Sequence, residues 1–255
     1  MHAYAFEFVG TFLLVLLGNG VVANVLLRET KGHGGGWIVI TAGWGMAVFV
    51  AVLCVADASG AHINPAVTVG LAAAGEFKWP DVPGYVVAQL LGGILGGMVV
   101  YLFYRDHYRA TDDADAKLAT FGTGPNIRNL PVNFISEVIG TLVLVFAVLQ
   151  AVDPSLSVES ADHPLQEVET VTVGLGALGA LPVGLIVFAI GLSLGGTTGY
   201  AINPARDLGP RIAHALLPIP GKRDSDWSYA PIPVIGPIVG GLLAAGIHAS
   251  LGQLG

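Results

Sequence analysis

The chain has 255 residues, of which 53% are hydrophobic and only 11% are charged, and its mean hydropathy is +0.71. This composition excludes a soluble globular domain of the same length and indicates a polytopic membrane protein. The net charge of −7 is spread over loops, and no basic stripe with interleaved aromatic residues is present. We therefore expect no nucleic-acid partner.

Six apolar runs are each long enough to cross the roughly 30 Å of hydrocarbon in a bilayer. They lie at about 4–27, 37–58, 82–104, 131–152, 173–195 and 230–251. The first run has no basic flank and no convincing cleavage site, so we interpret it as a retained helix. The sequence predicts a single all-α membrane domain over residues 1–255, with six transmembrane helices.

One tripeptide occurs twice, at Asn64-Pro65-Ala66 and Asn203-Pro204-Ala205. Asparagine suits the cap position of a helix, and proline suits the first turn, where its missing N–H costs nothing. Each copy therefore predicts a re-entrant half-helix whose positive dipole end points into the membrane.

Other segments also occur in pairs. Glu7-Phe8-Val9-Gly10-Thr11 resembles Glu137-Val138-Ile139-Gly140-Thr141. This similarity predicts a duplicated unit, with repeat 1 at about 1–105, a connecting loop at about 106–130 and repeat 2 at about 131–255. Because each unit has three spans, the second repeat must be inverted in the membrane.

The segments before the two tripeptides break the helices at membrane depth. Such breaks are tolerated only where protein buries them or where they line a water-filled path. Extended backbone there can present carbonyl acceptors, while the amides of Asn64 and Asn203 supply donors. The residues that we expect to line such a path are Gly60, Ala61, His62, Thr198, Gly199 and Ala201.

Arg206 directly follows the second tripeptide. An arginine inside a membrane is expensive and by default functional. Its rigid fork of five donors could bond two adjacent hydroxyl groups of a solute and repel cations. The alternative is a purely structural arginine that is held by loop carbonyls.

Together these motifs resemble the aquaporin, or major intrinsic protein, family, and within it the glycerol facilitators, over essentially the whole chain. The resemblance implies a homotetramer in the cell membrane, with one pore per subunit. Its function would be passive diffusion of glycerol and similar small uncharged solutes, with some water, while ions and protons are excluded. It implies no catalysis, cofactor or metal. Alignment on the motifs gives a selectivity filter of Trp44, Gly191, Tyr200 and Arg206.

Several residues refine this resemblance. Gly191 stands where water-selective members usually have histidine, which widens the filter. Tyr200 stands where glycerol facilitators usually have phenylalanine, and its hydroxyl could narrow or polarise the filter. Subfamily markers of the glycerol branch are Asp207 with Arg211, spaced for an i, i+4 contact, and Pro233 with Val234.

Three questions stay open. In the family Glu7 and Glu137 support the re-entrant loops, but in an ion-coupled secondary transporter they could couple protons. His62 could line the inner vestibule or brace a loop. A water-selective pore is the alternative within the family.

The resemblance and the distribution of charges predict opposite orientations in the membrane. The resemblance places both termini and the acidic segment 153–169 in the cytoplasm, and most Lys and Arg residues then lie outside. The positive-inside rule predicts the reverse. We follow the resemblance, because its motifs are more specific than a count of charges.

Overall fold

The computed structural model describes residues 2–151, 155–158, 169–172 and 174–253. These residues include ten α-helices and two short strands. The helices are α1 (His2–Leu26), α2 (Trp37–Ser59), α3 (Pro65–Ala74), α4 (Val82–Phe103), α5 (Arg105–Ala110), α6 (Ala114–Ala119), α7 (Leu130–Leu149), α8 (Leu181–Leu194), α9 (Pro204–Leu216) and α10 (Pro231–Gly252).

Six helical segments of the described chain are long and apolar enough to cross a membrane, which confirms the predicted number of spans. They are His2–Leu26, Trp37–Ser59, Trp79–Phe103, Leu130–Leu149, Gly176–Leu194 and Pro231–Gly252. The third and fifth begin with a 3₁₀ turn, at Trp79–Asp81 and Gly176–Ala180, before continuing as α4 and α8.

A small strand pair adds to the predicted all-α bundle. Strands β1 (Ser155–Val158) and β2 (Glu169–Thr172) pair antiparallel between α7 and α8, with Ser155 opposite Thr172. The charge rule and the resemblance place the acidic segment 153–169 on opposite sides of the membrane. Apart from these two strands, that segment lies outside the described residues.

The two half-helices α3 and α9 begin where the tripeptides predict. Asn64 and Asn203 are extended, with φ angles of −158° and −155°, and each asparagine side chain accepts a hydrogen bond from the first turn of its helix. Proline occupies the first helical turn in both cases. At 10 residues, α3 spans about 15 Å, which is half of the hydrocarbon thickness.

Each half-helix packs mainly against a long helix of the other repeat. The helix α3 lies mainly against α10, and α9 lies mainly against α4. Glycines permit this close approach. A Cβ on Gly241 of α10 would lie 2.6 Å from the carbonyl oxygen of Ala66, and a Cβ on Gly93 of α4 would lie 2.6 Å from that of Ala205. Glycine is therefore required where each long helix crosses the start of a half-helix.

Hydrogen bonds join the connecting loops at one end of the bundle. The backbone N–H of Arg28, after α1, donates to Thr111 Oγ1 at 2.9 Å. Lys117 of α6 donates to the carbonyl of Pro220, after α9, at 2.5 Å. The two short helices α5 and α6 thus lie over this end, in the part of the chain predicted as a loop.

Gly241→Ala should destabilise the protein, since the added methyl meets backbone at 2.6 Å and cannot rotate away. Overpacking of this kind costs about 1–3 kcal/mol. We expect a lower thermal unfolding midpoint in detergent and reduced solute flux. Gly246→Ala on the same helix is the matched control, because a Cβ there meets no atom within 4 Å. Equal midpoints for the two variants would contradict the packing role of Gly241.

Candidate functional site

The two segments before the half-helices have the same unusual backbone. Ala61 and Ile63 in the first have positive φ angles of 49° and 43°, and Tyr200 and Ile202 in the second have 38° and 43°. Positive φ is rare for a β-branched residue such as isoleucine. The surrounding structure must therefore hold both segments in this conformation.

The carboxylate of Glu7, on α1, holds the first segment. Its Oε1 accepts hydrogen bonds from Ser59 Oγ at 2.7 Å and from the backbone N–H of His62 at 2.9 Å. Its Oε2 accepts from the backbone N–H of Ile63 at 2.7 Å and from Gln89 Nε2 of α4 at 2.7 Å. Glu7 is fully buried, and its four partners are the last residue of α2, two backbone N–H groups of the loop and Gln89 of α4.

Glu137, on α7, holds the second segment in the same way. It accepts hydrogen bonds from Thr198 Oγ1 at 2.6 Å and from the backbone N–H groups of Ala201 at 3.0 Å and Ile202 at 2.8 Å. The residue that corresponds to Gln89 in the second repeat is Pro233, 144 positions later, and proline has no side-chain donor for a fourth bond. Glu137 therefore accepts one hydrogen bond fewer than Glu7, because the bond that Gln89 of α4 gives to Glu7 has no equivalent.

Gln89 is a residue that the sequence analysis missed. Its Nε2 bridges Glu7 and the hydroxyl of Thr68, at 2.7 and 3.0 Å. A spacing of 144 residues pairs Gly92 with Gly236 and Tyr85 with Tyr229, and it also pairs Gln89 with Pro233. The signal in the sequence was a single amide side chain inside an otherwise apolar span.

The two asparagines of the tripeptides bond across the middle of the molecule. Asn64 Nδ2 donates to the carbonyl of Ile202 at 2.8 Å, and Asn203 Nδ2 donates to the carbonyl of Ile63 at 2.8 Å. Each Oδ1 accepts from its own helix, including the N–H of Ala66 at 2.9 Å and of Ala205 at 3.0 Å. Each amide nitrogen keeps a second N–H that is not used in these bonds.

A cavity of about 130 Å³ runs past both asparagines. At about 10–15 Å³ of such volume per molecule, it has room for several waters in a file. One wall is polar and is formed by Gly60, Ala61, His62, Asn64, Ala201, Asn203 and Arg206, with the aromatic residues Trp44 and Tyr200 beside it. The remaining lining is mainly aliphatic and includes Leu14, Val48, Val52, Val67, Leu71, Leu144, Val148, Val183 and Val187.

The cavity brings together most of the predicted site residues. The filter and path residues that do not line it are Gly191, Thr198 and Gly199, and the prolines and alanines of the two tripeptides, Pro65, Ala66, Pro204 and Ala205, do not line it either. Thr198 bonds to Glu137, and Gly199 packs against Thr123, where a Cβ would lie 3.5 Å from the threonine Cβ. These residues support the wall from behind.

Arg206 and Trp44 form one corner of the cavity. The guanidinium carbon of Arg206 lies 4.0 Å from the centre of the Trp44 ring, a cation–π distance. Within the described residues the guanidinium makes no hydrogen bond, although Arg206 is only 6% exposed. A Cβ on Gly18 would lie 2.3 Å from the Trp44 ring, so Gly18, a second residue that the sequence did not reveal, makes room for the tryptophan.

Gly191 lies behind the ring of Tyr200. A Cβ on Gly191 would lie 2.9 Å from both Cζ and Oη of Tyr200, and a Cβ on Gly195, one turn later, would lie 2.5 Å from Cδ1. Trp37 packs edge-on to the Tyr200 ring at 5.8 Å and donates to the carbonyl of Gly191 at 3.0 Å. The missing side chain at Gly191 therefore makes room for the tyrosine ring, whose hydroxyl is buried and has no hydrogen-bond partner among the described residues.

His62 both lines the cavity and braces a loop. Its Nδ1 lies 3.2 Å from Thr68 Oγ1, and its ring packs edge-on to Phe77 at 4.6 Å. The Thr68 hydroxyl donates to the carbonyl of Asn64 at 3.0 Å, which uses its one proton. The proton of the His62–Thr68 bond must then be on Nδ1, which leaves Nε2 as an acceptor.

The subfamily markers lie outside the cavity. Asp207 and Arg211 form a fully buried ion pair on α9, with Nε to Oδ1 at 2.7 Å, at the predicted i, i+4 spacing. Pro233 is buried in α10 and Val234 is half-buried beside it. Among the described residues, no group of three or more His, Cys, Asp or Glu side chains is placed to hold a metal ion.

Comparison with known proteins gives a consistent set of similarities. Residues 1–248 match the family model described as Major intrinsic protein. A probable glycerol uptake facilitator protein of Thermotoga maritima is 54% identical over 97% of this chain and 98% of its own length. Glycerol uptake facilitator protein 3 of Lactiplantibacillus plantarum is 53% identical over 94% and 92%. The X-ray structure of the aquaglyceroporin from Plasmodium falciparum superposes with a TM-score of 0.81 at 32% identity, covering 100% of this chain and 99% of that one.

Glu137→Gln should loosen the second re-entrant segment. The amide nitrogen of glutamine cannot accept a hydrogen bond, so at least one N–H of Ala201 or Ile202 loses its partner, at about 1.5–3 kcal/mol for a bond to a charged group. We expect a lower unfolding midpoint together with reduced solute flux in proteoliposomes. Glu76→Gln, on an exposed loop, serves as the control. A variant with unchanged midpoint and flux would show that Glu137 does not hold the loop.

Proposed function

Because the chain belongs to the major intrinsic protein family, we propose that it is a passive channel for glycerol and similar small uncharged solutes, which also passes some water. The observation that carries the proposal is the mixed lining of the cavity, which combines polar loop residues and Arg206 with aromatic and aliphatic side chains. A polyol has hydroxyl groups along one edge and C–H groups along the other. The polar wall with Arg206 suits the first edge, and Trp44, Tyr200 and the aliphatic lining suit the second.

The polar wall offers a continuous series of partners to a moving solute. The lining residues Gly60, Ala61 and Ala201 each have a backbone carbonyl acceptor, and Asn64 and Asn203, which also line the cavity, each keep an N–H that their bonds to Ile202 and Ile63 do not use. A solute hydroxyl can donate to a carbonyl and accept from an asparagine within one site. Exchange between equivalent partners keeps each site weak enough for the solute to leave.

Exclusion of cations and protons follows from the charges around the same cavity. Both half-helices begin at the asparagines, so their positive dipole ends, each equivalent to roughly half an elementary charge, meet there. Arg206 adds a full positive charge in the same low-dielectric surroundings. Both effects oppose a cation at the point where a solute must shed its water.

The ion-coupled transporter is not favoured by the positions of the carboxylates. Coupling requires ionisable groups that face the solute path. Glu7 and Glu137 are bonded to the backbone of the re-entrant loops, and neither lines the cavity. Asp57, the third acidic residue of the six predicted spans, does not line it either. Among the described residues the cavity therefore offers no carboxylate through which solute movement could be coupled to a proton or sodium gradient.

We further propose that the protein is a homotetramer in the cell membrane with both termini in the cytoplasm, as in the family. The loops joined at the opposite end carry most of the basic residues: Arg28, Lys31, Arg105, Arg109, Lys117, Arg128, Lys222 and Arg223. The family architecture outweighs this charge bias. Native mass spectrometry tests the tetramer. Labelling of Ser157→Cys by an impermeant reagent in intact cells would overturn the orientation.

The proposed function predicts rapid glycerol entry into proteoliposomes that contain the purified protein. Stopped-flow light scattering after a glycerol step and after a sucrose step gives the glycerol and water permeabilities separately. We expect both to exceed those of empty liposomes, with glycerol rising at least as strongly as water. Water flux without glycerol flux would move the protein to the water-selective pores.

Arg206→Ala should loosen the discrimination between solutes. The substitution removes the charged donor fork and widens the corner beside Trp44. We expect larger polyols to enter and protons to leak, which an entrapped pH dye detects. Arg109→Ala, at an exposed ion pair, should behave as wild type. Unchanged solute selectivity and an unchanged proton barrier in Arg206→Ala would refute the role given to this arginine.

A further inference from the structure

The buried ion pair of Asp207 and Arg211 has no contact with the cavity, yet it lies directly behind the filter. Asp207 follows Arg206 in the chain, and both members of the pair are 0% exposed. Burial of two charges at this depth is costly unless every donor and acceptor finds a partner. The partners that the pair does find come from two loops at the mouth of the channel.

The first of these loops is the mouth loop, defined here as residues 120–129 between α6 and α7. Thr123 donates to Asp207 Oδ2 twice, from its backbone N–H at 2.6 Å and from its hydroxyl at 2.7 Å. The carbonyl of Thr123 accepts from Arg211 Nη2 at 2.7 Å. All hydrogen-bonding groups of Thr123 are therefore directed at the ion pair.

Arg211 also bonds the second loop, residues 217–230 between α9 and α10. Its Nη1 donates to the carbonyl of Ser225 at 2.8 Å and to that of Asp226 at 3.3 Å. A Cβ on Gly122 would lie 2.8 Å from the guanidinium carbon, so the mouth loop is packed onto Arg211. The guanidinium of Arg211 therefore donates hydrogen bonds to carbonyl groups of both loops.

The guanidinium of Arg206 makes no hydrogen bond within the described residues. Thr123 of the mouth loop contacts Gly199, the residue before Tyr200, and Asp207, the residue after Arg206. A free carbonyl at this place would be a strong acceptor for a charged arginine. Such a bond would occupy donors that a solute needs.

We propose that Asp207 and Arg211 are positioning residues for solute selection. They bind the mouth loop so that the carbonyl of Thr123 faces Arg211, and the donors of Arg206 stay available to the solute. The inference rests on the proposed function and deepens it. The pair determines the preference for hydroxyl-rich solutes over water by controlling a neighbouring arginine, without touching the solute.

Arg211→Lys tests this proposal because it keeps the charge beside Asp207 while a single ammonium group cannot also reach the carbonyls of Thr123 and Ser225. The released Thr123 carbonyl then bonds Arg206. We expect the ratio of glycerol to water permeability to fall about tenfold, the equivalent of 1.4 kcal/mol. The ratio does not depend on the amount of protein in the liposomes, so a merely structural defect, which lowers both permeabilities together, leaves it unchanged.

A double-mutant comparison identifies the route of the effect. If Arg211 acts through Arg206, Arg211→Lys changes the ratio in the wild-type background and has no further effect in Arg206→Ala. Arg128→Met is the matched control, since Arg128 also joins the same two loops, by an exposed pair with Asp226 at 2.8 Å. This control should keep the wild-type ratio.

Thr123→Val is a milder variant, in case Arg211→Lys does not reach the membrane. It removes only the hydroxyl bond to Asp207 and should lower the ratio by a smaller factor. An unchanged ratio in both variants, or an equal fall in Arg128→Met, would overturn the proposal. If the wild-type protein passes water and no glycerol, the proposed function fails instead, and that result is read from the wild-type protein alone.

Discussion

Two buried carboxylates hold the backbone that forms the polar wall, and the rest of the site depends on them. The effective cost of burying a carboxylate is several kcal/mol, whereas each hydrogen bond to a charged acceptor returns about 1.5–3 kcal/mol. Glu7 offsets its burial with four donors and Glu137 with three. Because these donors come mostly from the loops, the same bonds fix the positive φ angles of Ile63 and Ile202, whose carbonyls the two asparagines bind.

The two halves are unequal at the point where selection takes place. The first loop has Gln89 and a threonine–histidine network behind it, and the second has a proline in the place of Gln89. The second loop carries Tyr200 and leads directly into Arg206. Its additional support comes from the mouth loop, through Thr123 and the Asp207–Arg211 pair of α9. The loop that selects solutes is thereby tied to the mouth of the channel.

Much of the architecture could be predicted from the sequence, because it depends on local signals. Apolar run length predicted six spans, and asparagine followed by proline predicted the start of both half-helices. The contacts of Gly18 with Trp44 and of Gln89 with Glu7 could not be predicted, since each joins helices through tertiary packing. The contact of Gly191 with Tyr200 also depends on tertiary packing. The motif position of Gly191 indicated a wider filter, whereas the structure places this glycine behind the Tyr200 ring.

The central claim is that this path conducts passively, and the most direct test is the final glycerol concentration inside proteoliposomes under an imposed proton or sodium gradient. A passive channel only speeds equilibration, so the internal and external concentrations should become equal whatever the size or sign of the gradient. Accumulation of glycerol above the external concentration, abolished when the gradient is collapsed, would contradict the account and identify an ion-coupled transporter.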